Sequence, residues 1–191
     1  MYHETITPFM IEELPLALFE GEIVEITTRE EADEALRELA QETLLGFDTE
    51  TRPNFSPQQS WRHKTALLQL ATHTKAFLFR LPCCGISVAL ADLLSNPGTL
   101  KIGAAVKDDI RGLQTYRTFR AAGFADIQTI AESAGIKEKS LKKLAAIVLN
   151  VRISKGQQLS NWENRELTPA QRQYAALDAW ICREIYVKLK P

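Results

Sequence analysis

The chain has 191 residues, of which 45% are hydrophobic and 25% are charged, and its formal net charge is −1. This size and composition predict a single globular domain over residues 1–191, and they exclude a general electrostatic attraction to nucleic acid while allowing a local binding site. No apolar run approaches the roughly 20 residues of a membrane span, and the acidic N-terminus does not resemble a secretory signal. We therefore expect a cytoplasmic protein with no membrane partner.

The first half of the chain is predicted to contain most of the strands. Apolar stretches bounded by turn residues mark them, with a tight turn near His73 and Thr74 between the third and the fourth. Thr28, followed three residues later by Glu31, is typical of a capping box at the start of a helix. The predicted strands cover residues 22–26, 43–50, 65–72, 75–81 and 100–106.

The second half of the chain is predicted to be helical. Ser140 is expected to cap one helix, and the last helix has Thr168 as its cap, Pro169 at its first position and Gln171 completing a capping box. The predicted helices cover residues 107–117, part of 126–134, 140–150 and the segment from 169 onwards. Strands followed by helices predict an α/β fold in which helices flank a mixed sheet.

Two acids lie at the end of the second predicted strand. Alternate side chains of a strand share a face, so Asp48 and Glu50 should point the same way, about 7 Å apart, while Leu45, Phe47 and Thr49 point the other way. Neighbouring carboxylates at a partly desolvated strand end repel each other, which raises a pKa and favours a positive group between them. The alternative is that the strand has ended and both acids are solvated loop residues.

The last helix contributes a third acid. One stripe of this helix should pack against the sheet. The stripe consists of Tyr174, Asp178, Ile181, Ile185 and Leu189. An unpaired carboxylate among apolar residues is costly, so Asp178 predicts a metal ion or a basic partner. The alternative is a protonated or hydrogen-bonded core aspartate, but no Lys or Arg lies on the stripe before Lys188, which favours the metal.

A fourth acid follows the fifth predicted strand. Asp108 and Asp109 open the next helix, where acids are also favoured as caps and by the helix dipole. We assign Asp108 this structural role. For Asp109 the residues alone leave both roles open, and its assignment depends on the resemblance that follows.

Three segments of the sequence resemble the three motifs of a known enzyme family. FDTE (47–50), KIGAAVKDDIRGL (101–113) and YAALDA (174–179) are similar to the exonuclease motifs of the DEDDy branch of the 3'-5' exonucleases, which includes ribonuclease D and the Werner-syndrome exonuclease domain. The resemblance covers about residues 22–190 and leaves residues 1–21 as an N-terminal extension. It implies a ribonuclease H-like fold, with a mixed central sheet flanked by helices.

The resemblance also implies a chemistry. It identifies a 3'-5' exonuclease that hydrolyses phosphodiester bonds from the 3' end of DNA or RNA by a two-metal-ion mechanism and releases nucleoside 5'-monophosphates. The expected metal ligands are Asp48, Glu50, Asp109 and Asp178, with Asp48 bridging both ions. Four hard oxygen ligands without Cys or His suit Mg²⁺ or Mn²⁺ rather than zinc.

Tyr174 is the fifth expected catalytic residue. It precedes Asp178 by four residues, as in the tyrosine branch of the family, whereas the sister branch has a histidine at the position occupied here by Gln173. Its hydroxyl would orient the attacking water, since a phenol with a pKa of about 10 is a poor general base at neutral pH. If Tyr174 did not lie beside Asp178, we would interpret it as an ordinary core tyrosine.

Substrate contacts are less clearly marked in the sequence. The expected ones are Thr49, Arg52 and Lys155, and Trp162 is expected to pack rather than to stack on a base. The loop over residues 52–64 combines basic and aromatic side chains that suit phosphates and bases, as ordinary surface loops also do. Those side chains are Arg52, Phe55, Trp61, Arg62 and Lys64.

The expected partner is the single-stranded 3' end of a DNA or RNA molecule. A helicase or another nucleic-acid-processing protein is a second candidate partner. The motifs do not distinguish DNA from RNA, because their residues act on the phosphate and not on the sugar. The sequence does not predict an oligomeric state. Two alternatives to the enzyme are a non-catalytic nucleic-acid-binding module of the same fold and a structural domain with accidental motifs.

Overall fold

The structure is a computed structural model that describes residues 2–54 and 63–190. Phe55, Trp61 and Arg62 of the expected substrate loop lie outside the described residues. Within the described residues, six strands form a single sheet. The strands are β1 (Glu22–Ile26), β2 (Leu44–Thr51), β3 (Thr65–Ala71), β4 (Lys75–Arg80), β5 (Leu100–Gly103) and β6 (Phe124–Asp126).

The sheet is mixed, as the sequence predicts. Its strand order is β1-β4-β3-β2-β5-β6. The central pairs β2–β3 and β3–β4 are antiparallel, whereas β1–β4, β2–β5 and β5–β6 are parallel. Asp48 pairs with Gln69 and Glu50 with Leu67, and the register shifts directly after Glu50. Such a bulge interrupts the alternation of side chains between the two faces at that point.

The helices begin where the caps predict. Thr28 with Glu31 and Thr168 with Gln171 form complete capping boxes, and the Ser140 hydroxyl accepts a hydrogen bond from the Lys143 backbone N–H. Within the described chain the helices are α1 (Pro8–Glu12), α2 (Arg29–Leu39), α3 (Leu81–Cys84), α4 (Val88–Ser95), α5 (Val106–Gln114), α6 (Ile127–Ser133), α7 (Leu141–Leu149) and α8 (Pro169–Leu189).

The predicted strand over residues 100–106 is too long. β5 ends at Gly103, because Ala105 adopts a left-handed conformation with φ of 56° and turns the chain off the sheet into α5. The sequence analysis made no prediction for α1, α3, α4 or β6. These elements have three to eight residues, which is too short for a periodic apolar pattern to mark them.

Helices pack on both faces of the sheet. Leu45 and Phe47 of β2 lie in a core shared with α2, α4 and α5, while α6, α7 and α8 form a second core on the opposite face. Gly46, between them, faces α8, and a Cβ added there would overlap the Ala179 carbonyl oxygen. This close approach places α8 directly against β2. No helix in the described part of the chain is long and apolar enough to cross a membrane.

Candidate active site

Three of the predicted metal ligands converge at the end of β2. Asp48 and Glu50 project from the face of β2 that packs on α8, and Asp178 projects from α8. One carboxylate oxygen of each residue lies within 4.8 Å of the other two. We call these three residues the acidic cluster. The strand continues through Glu50 to Thr51, so these acids are not the solvated loop residues of the alternative interpretation.

The environment of the two β2 acids opposes their ionisation. Burial, followed by the charges of Asp178 and Asp109, raises the pKa of Asp48 well above its usual range. Burial, followed by the charge of Asp48, raises the pKa of Glu50 to about 10. Without a cation, the cluster is therefore a site where protons are retained at neutral pH, and a bound cation would favour the ionised forms of both carboxyl groups.

Asp178 is buried without a full set of partners. Its side chain is 7% exposed, and its Oδ1 atom has no hydrogen-bond partner among the described residues. Burial raises the pKa of Asp178 to about 7, against the opposing effects of the Tyr174 hydroxyl and the Lys155 ammonium group. An unpartnered buried carboxylate oxygen beside two other carboxylates fits a cation ligand better than a satisfied core residue.

Asp109 approaches from the other side of β2. It lies in the first turn of α5, and its Oδ1 accepts a hydrogen bond of 2.5 Å from the Thr49 hydroxyl. It is not part of the acidic cluster, but its charge raises the pKa values of Asp48 and Glu50. Asp108, in contrast, is exposed and pairs with Arg111 at 2.9 Å; it lies in the first turn of α5, as predicted, but the cap position is Ala105 and has no side-chain hydrogen bond.

Tyr174 lies one helical turn before Asp178 and lines the same cleft. Its ring packs on the fully buried Trp162, with ring centroids 6.0 Å apart, which agrees with the packing role predicted for Trp162. Burial, followed by the charges of Asp178 and Glu50, raises the pKa of Tyr174 above its ordinary value of 10. The hydroxyl therefore keeps its proton at neutral pH, and it is suited to donating a hydrogen bond rather than to acting as a base.

The acidic cluster lies in a cleft of about 330 Å³, which we call the acidic cleft. Lys155, a predicted substrate contact, lines it and is exposed. Lys142 and Gln158 also line the cleft, and the sequence analysis missed both. The sequence feature that could have identified Lys142 is its position in the first turn of the helix capped by Ser140. Only the packing of α7 beside α8 brings that turn to the acids.

Arg52 does not reach the acidic cleft. It lines a neighbouring cleft of about 720 Å³ on the other side of Thr49, where its guanidinium group lies 3.2 Å from Glu163. His63 also contacts Glu163, at 2.8 Å. Strict alternation along β2 would place Arg52 on the face of Asp48 and Glu50, but the bulge directly after Glu50 breaks this alternation.

Comparison with known proteins identifies relatives that match most of the chain. The chain is 36% identical over 152 residues to exonuclease 3'-5' domain-containing protein 2 of Drosophila melanogaster, which is 76% of this chain and 25% of that protein. It is 28% identical over 163 residues to ribonuclease D of Gluconacetobacter diazotrophicus, which is 84% of this chain and 40% of that protein. The chain thus spans less than half the length of either relative.

A solved structure matches nearly all of both chains. The EXO domain of Nibbler from Aedes aegypti superposes with a TM-score of 0.80 and 23% identity, over 92% of this chain and 90% of the other. This likeness confirms the ribonuclease H-like α/β fold. The profile of a family described as 3'-5' exonuclease matches residues 23–191. The chain therefore belongs to the 3'-5' exonuclease family.

Proposed function

We propose that this chain is a metal-dependent nuclease that removes nucleotides one at a time from the 3' end of a nucleic-acid strand. The products would be nucleoside 5'-monophosphates. The convergence of Asp48, Glu50 and Asp178 beside Tyr174, in a cleft open to solvent, is the observation that carries the proposal. Family membership supports the reaction class, and the acidic cluster supplies the groups that this class of reaction needs.

The acidic cluster fits divalent cations. Its donors are carboxylate oxygens, one of which is buried without a partner among the described residues, and their mutual repulsion would be relieved by positive charge. Oxygen ligands favour Mg²⁺ or Mn²⁺. Asp48, Glu50 and Asp178 would hold two such ions, with Asp109 contributing from α5. Bound cations would lower the pKa of an attacking water and stabilise the leaving oxygen.

The other residues of the cleft would position the reactants. Tyr174 retains its proton and would orient the attacking water by a hydrogen bond. Thr49 is a predicted substrate contact, but its hydroxyl donates a hydrogen bond to the Asp109 carboxylate, so we propose that it acts through that acid. Lys155 would contact a phosphate near the acids. Arg52 would contact the substrate only from the neighbouring cleft, after exchanging its partner Glu163.

The proposed substrate class rests on groups that would contact the phosphate, and no described residue is assigned to recognise the sugar. We propose a single-stranded 3' end, because the acidic cluster lies inside a cleft walled by β2, α7 and α8, which a terminal nucleotide would enter without a paired strand. The name of one relative, ribonuclease D, supports including RNA among the substrates tested. DNA and RNA strands of matched sequence should therefore be compared directly.

The test is the degradation of 5'-labelled DNA and RNA strands in Mg²⁺, in Mn²⁺ and in chelator. We expect a ladder that shortens from the 3' end only with a cation, together with nucleoside 5'-monophosphates by chromatography. Asp48→Asn should abolish the ladder. Asp108→Asn is the matched control, because it changes the same charge at an exposed position near the site, and it should leave the ladder intact.

The other results would refute the proposal in different ways. A strand that binds and is never shortened would identify a non-catalytic binding module. A ladder that persists in Asp48→Asn or in chelator would exclude the acidic cluster as its source. Neither binding nor shortening would indicate a structural domain.

A further inference from the structure

The acidic cleft continues into a second depression. This depression has a volume of about 510 Å³ and shares four lining residues with the acidic cleft, so the two adjoin. The shared residues are Lys142, Ile153, Ser154 and Lys155. The residues that line only the second depression are Ile11, Glu12, Leu16 and Arg152. We call the second depression the extension groove, since three of these four residues come from the N-terminal extension.

The N-terminal wall of the extension groove is firmly attached. The Ala17 backbone N–H donates to the Arg152 carbonyl oxygen at 2.8 Å, and the Arg152 N–H donates to the Pro15 carbonyl oxygen at 2.9 Å. The Arg152 Nε donates to the Leu14 carbonyl oxygen at 3.0 Å. The family match begins at residue 23, so this wall is a feature of the chain beyond the shared exonuclease domain.

The charge of the extension groove is mainly positive. Its lining contains three basic residues, Lys142, Arg152 and Lys155, and one acidic residue, Glu12. Within residues 2–54 and 63–190, no carboxylate lies within salt-bridge distance of any of the three cations, whereas the adjacent Lys143 is paired with Glu138. Lys142 and Lys155 line both the acidic cleft and the extension groove, and Arg152 lines the extension groove alone, so cations extend from the 3'-end site into the groove, as successive phosphate groups require.

The cleft beside Thr49 is the other route by which a strand could leave the acidic cluster. Its arginines already have carboxylate partners, since Arg52 pairs with Glu163 and Arg111 pairs with Asp108. Among the described residues, this cleft offers one lysine outside a carboxylate pair, Lys64, whose ammonium group lies over the Tyr116 ring, whereas the extension groove offers three such cations. Charge therefore favours the extension groove as the path.

Two exposed apolar side chains lie on the N-terminal extension, one in the lining of the extension groove and one on the helix that contributes to it. Leu16 lines it and is 43% exposed. Phe9 is 72% exposed and lies three residues before Glu12 on α1, so the two share one side of that helix. An exposed aromatic ring near cations provides a surface on which a nucleobase stacks, and an exposed Leu side chain offers an apolar contact beside it.

We propose that the extension groove binds the part of a single-stranded nucleic acid that lies upstream of its 3'-terminal nucleotide. Lys142, Arg152 and Lys155 would contact phosphates, and Leu16 and Phe9 would contact bases. This inference depends on the proposed function for the location of the 3' end. Its consequence is a preference for strands long enough to reach the N-terminal extension.

The test compares the binding of long and short strands. Fluorescence anisotropy would measure the affinity of labelled strands of about 12 and about 3 nucleotides, with phosphorothioate linkages at the 3' end to prevent hydrolysis. Arg152→Gln should weaken binding of the long strand and not of the short one. The slope of log affinity against log salt for the long strand should also become shallower by about 0.7, the value for one lost phosphate contact.

Three further variants separate phosphate binding from structural damage. Lys142→Gln removes a cation that has no hydrogen bond to the described part of the extension, so it should weaken long-strand binding even if Arg152→Gln loosens the wall. Phe9→Ala should weaken long-strand binding without changing the salt slope. Arg37→Gln is the matched control, because it removes a cation from the opposite side of the sheet, and it should change nothing.

The outcomes distinguish this inference from the proposed function. If unmodified strands are shortened but the Arg152 and Lys142 variants bind both lengths like the parent, the extension groove is not the path and the nuclease assignment stands. If long strands bind through these residues but no strand is ever shortened, the groove stands and the nuclease assignment fails. Equal parental affinity for long and short strands would also overturn the inference.

Discussion

Asp178 should make the cation-free protein less stable as the pH rises. Burial raises the pKa of this carboxyl group to about 7 from its ordinary value of 3.8. The folded state therefore binds the proton more tightly than the unfolded state. The stabilisation is complete below the unfolded pKa and is lost as the pH rises through the folded pKa. Because one pKa unit corresponds to about 1.4 kcal/mol, Asp178 alone should lower the free energy of unfolding by about 3 kcal/mol between pH 5 and pH 8.

The assay is thermal unfolding in chelator at pH 5 and at pH 8. For a chain of this length, the loss corresponds to a decrease in Tm of about 6–12 °C. Asp178→Asn removes the titrating group and the charge that raises the pKa values of Asp48 and Glu50, so the pH-dependent decrease should be smaller than in the parent by at least this amount. Asp33→Asn, an exposed change on α2, should behave like the parent. Mg²⁺ or Mn²⁺ should raise the Tm of the parent more at pH 8 than at pH 5, because cations bind deprotonated carboxylates.

Two results would refute this reasoning. If Asp178→Asn loses stability with pH as steeply as the parent, the Asp178 carboxyl group does not titrate in a desolvated environment. If the parent gains no stability from either cation at pH 8, the three carboxylates do not form a cation site. The difference between parent and variant is the decisive quantity, since it cancels the titration of groups that do not interact with Asp178 and retains only that of Asp178 and its neighbours Asp48 and Glu50.

Three further changes test the site. Tyr174→Phe should lower kcat about 100-fold with little change in KM, cation affinity or Tm, and an unchanged kcat would remove the hydroxyl from the mechanism. Trp162→Ala should reduce the free energy of unfolding by about 3–5 kcal/mol in denaturant titrations and should also lower kcat, since the Tyr174 ring loses its packing partner. Gly46→Ala should cost about 1–3 kcal/mol and weaken cation binding in calorimetry, because a Cβ would push Ala179 and its helix away from β2. Gly156→Ala, whose added Cβ would meet only the Ser154 hydroxyl at 3.4 Å, is the control, and equal effects of the two changes would contradict this account.

Local rules were sufficient for most of the fold and for the acidic cluster. The capping residues Thr28, Ser140 and Thr168 begin their helices as predicted, because a cap depends on residues within one turn. Strand alternation placed Asp48 and Glu50 on one face for the same reason. The prediction of a strand over residues 100–106 was wrong at its end, because Ala105 adopts a left-handed conformation that alanine does not favour and that the sequence therefore does not indicate.

The sequence by itself determined the family, the mixed α/β architecture and the three carboxylates that meet at the end of β2. Only the tertiary structure decided that Asp109 is held by Thr49 across 60 positions, that Arg52 turns to Glu163 and that the N-terminal extension adjoins the acidic cleft through Arg152. Each of these depends on contacts between residues far apart in the chain, and so do the raised pKa values, which arise from burial and from charges on other elements. The spacing of residues along a sequence reveals motifs and periodic patterns, but burial and long-range contacts exist only after the chain has folded.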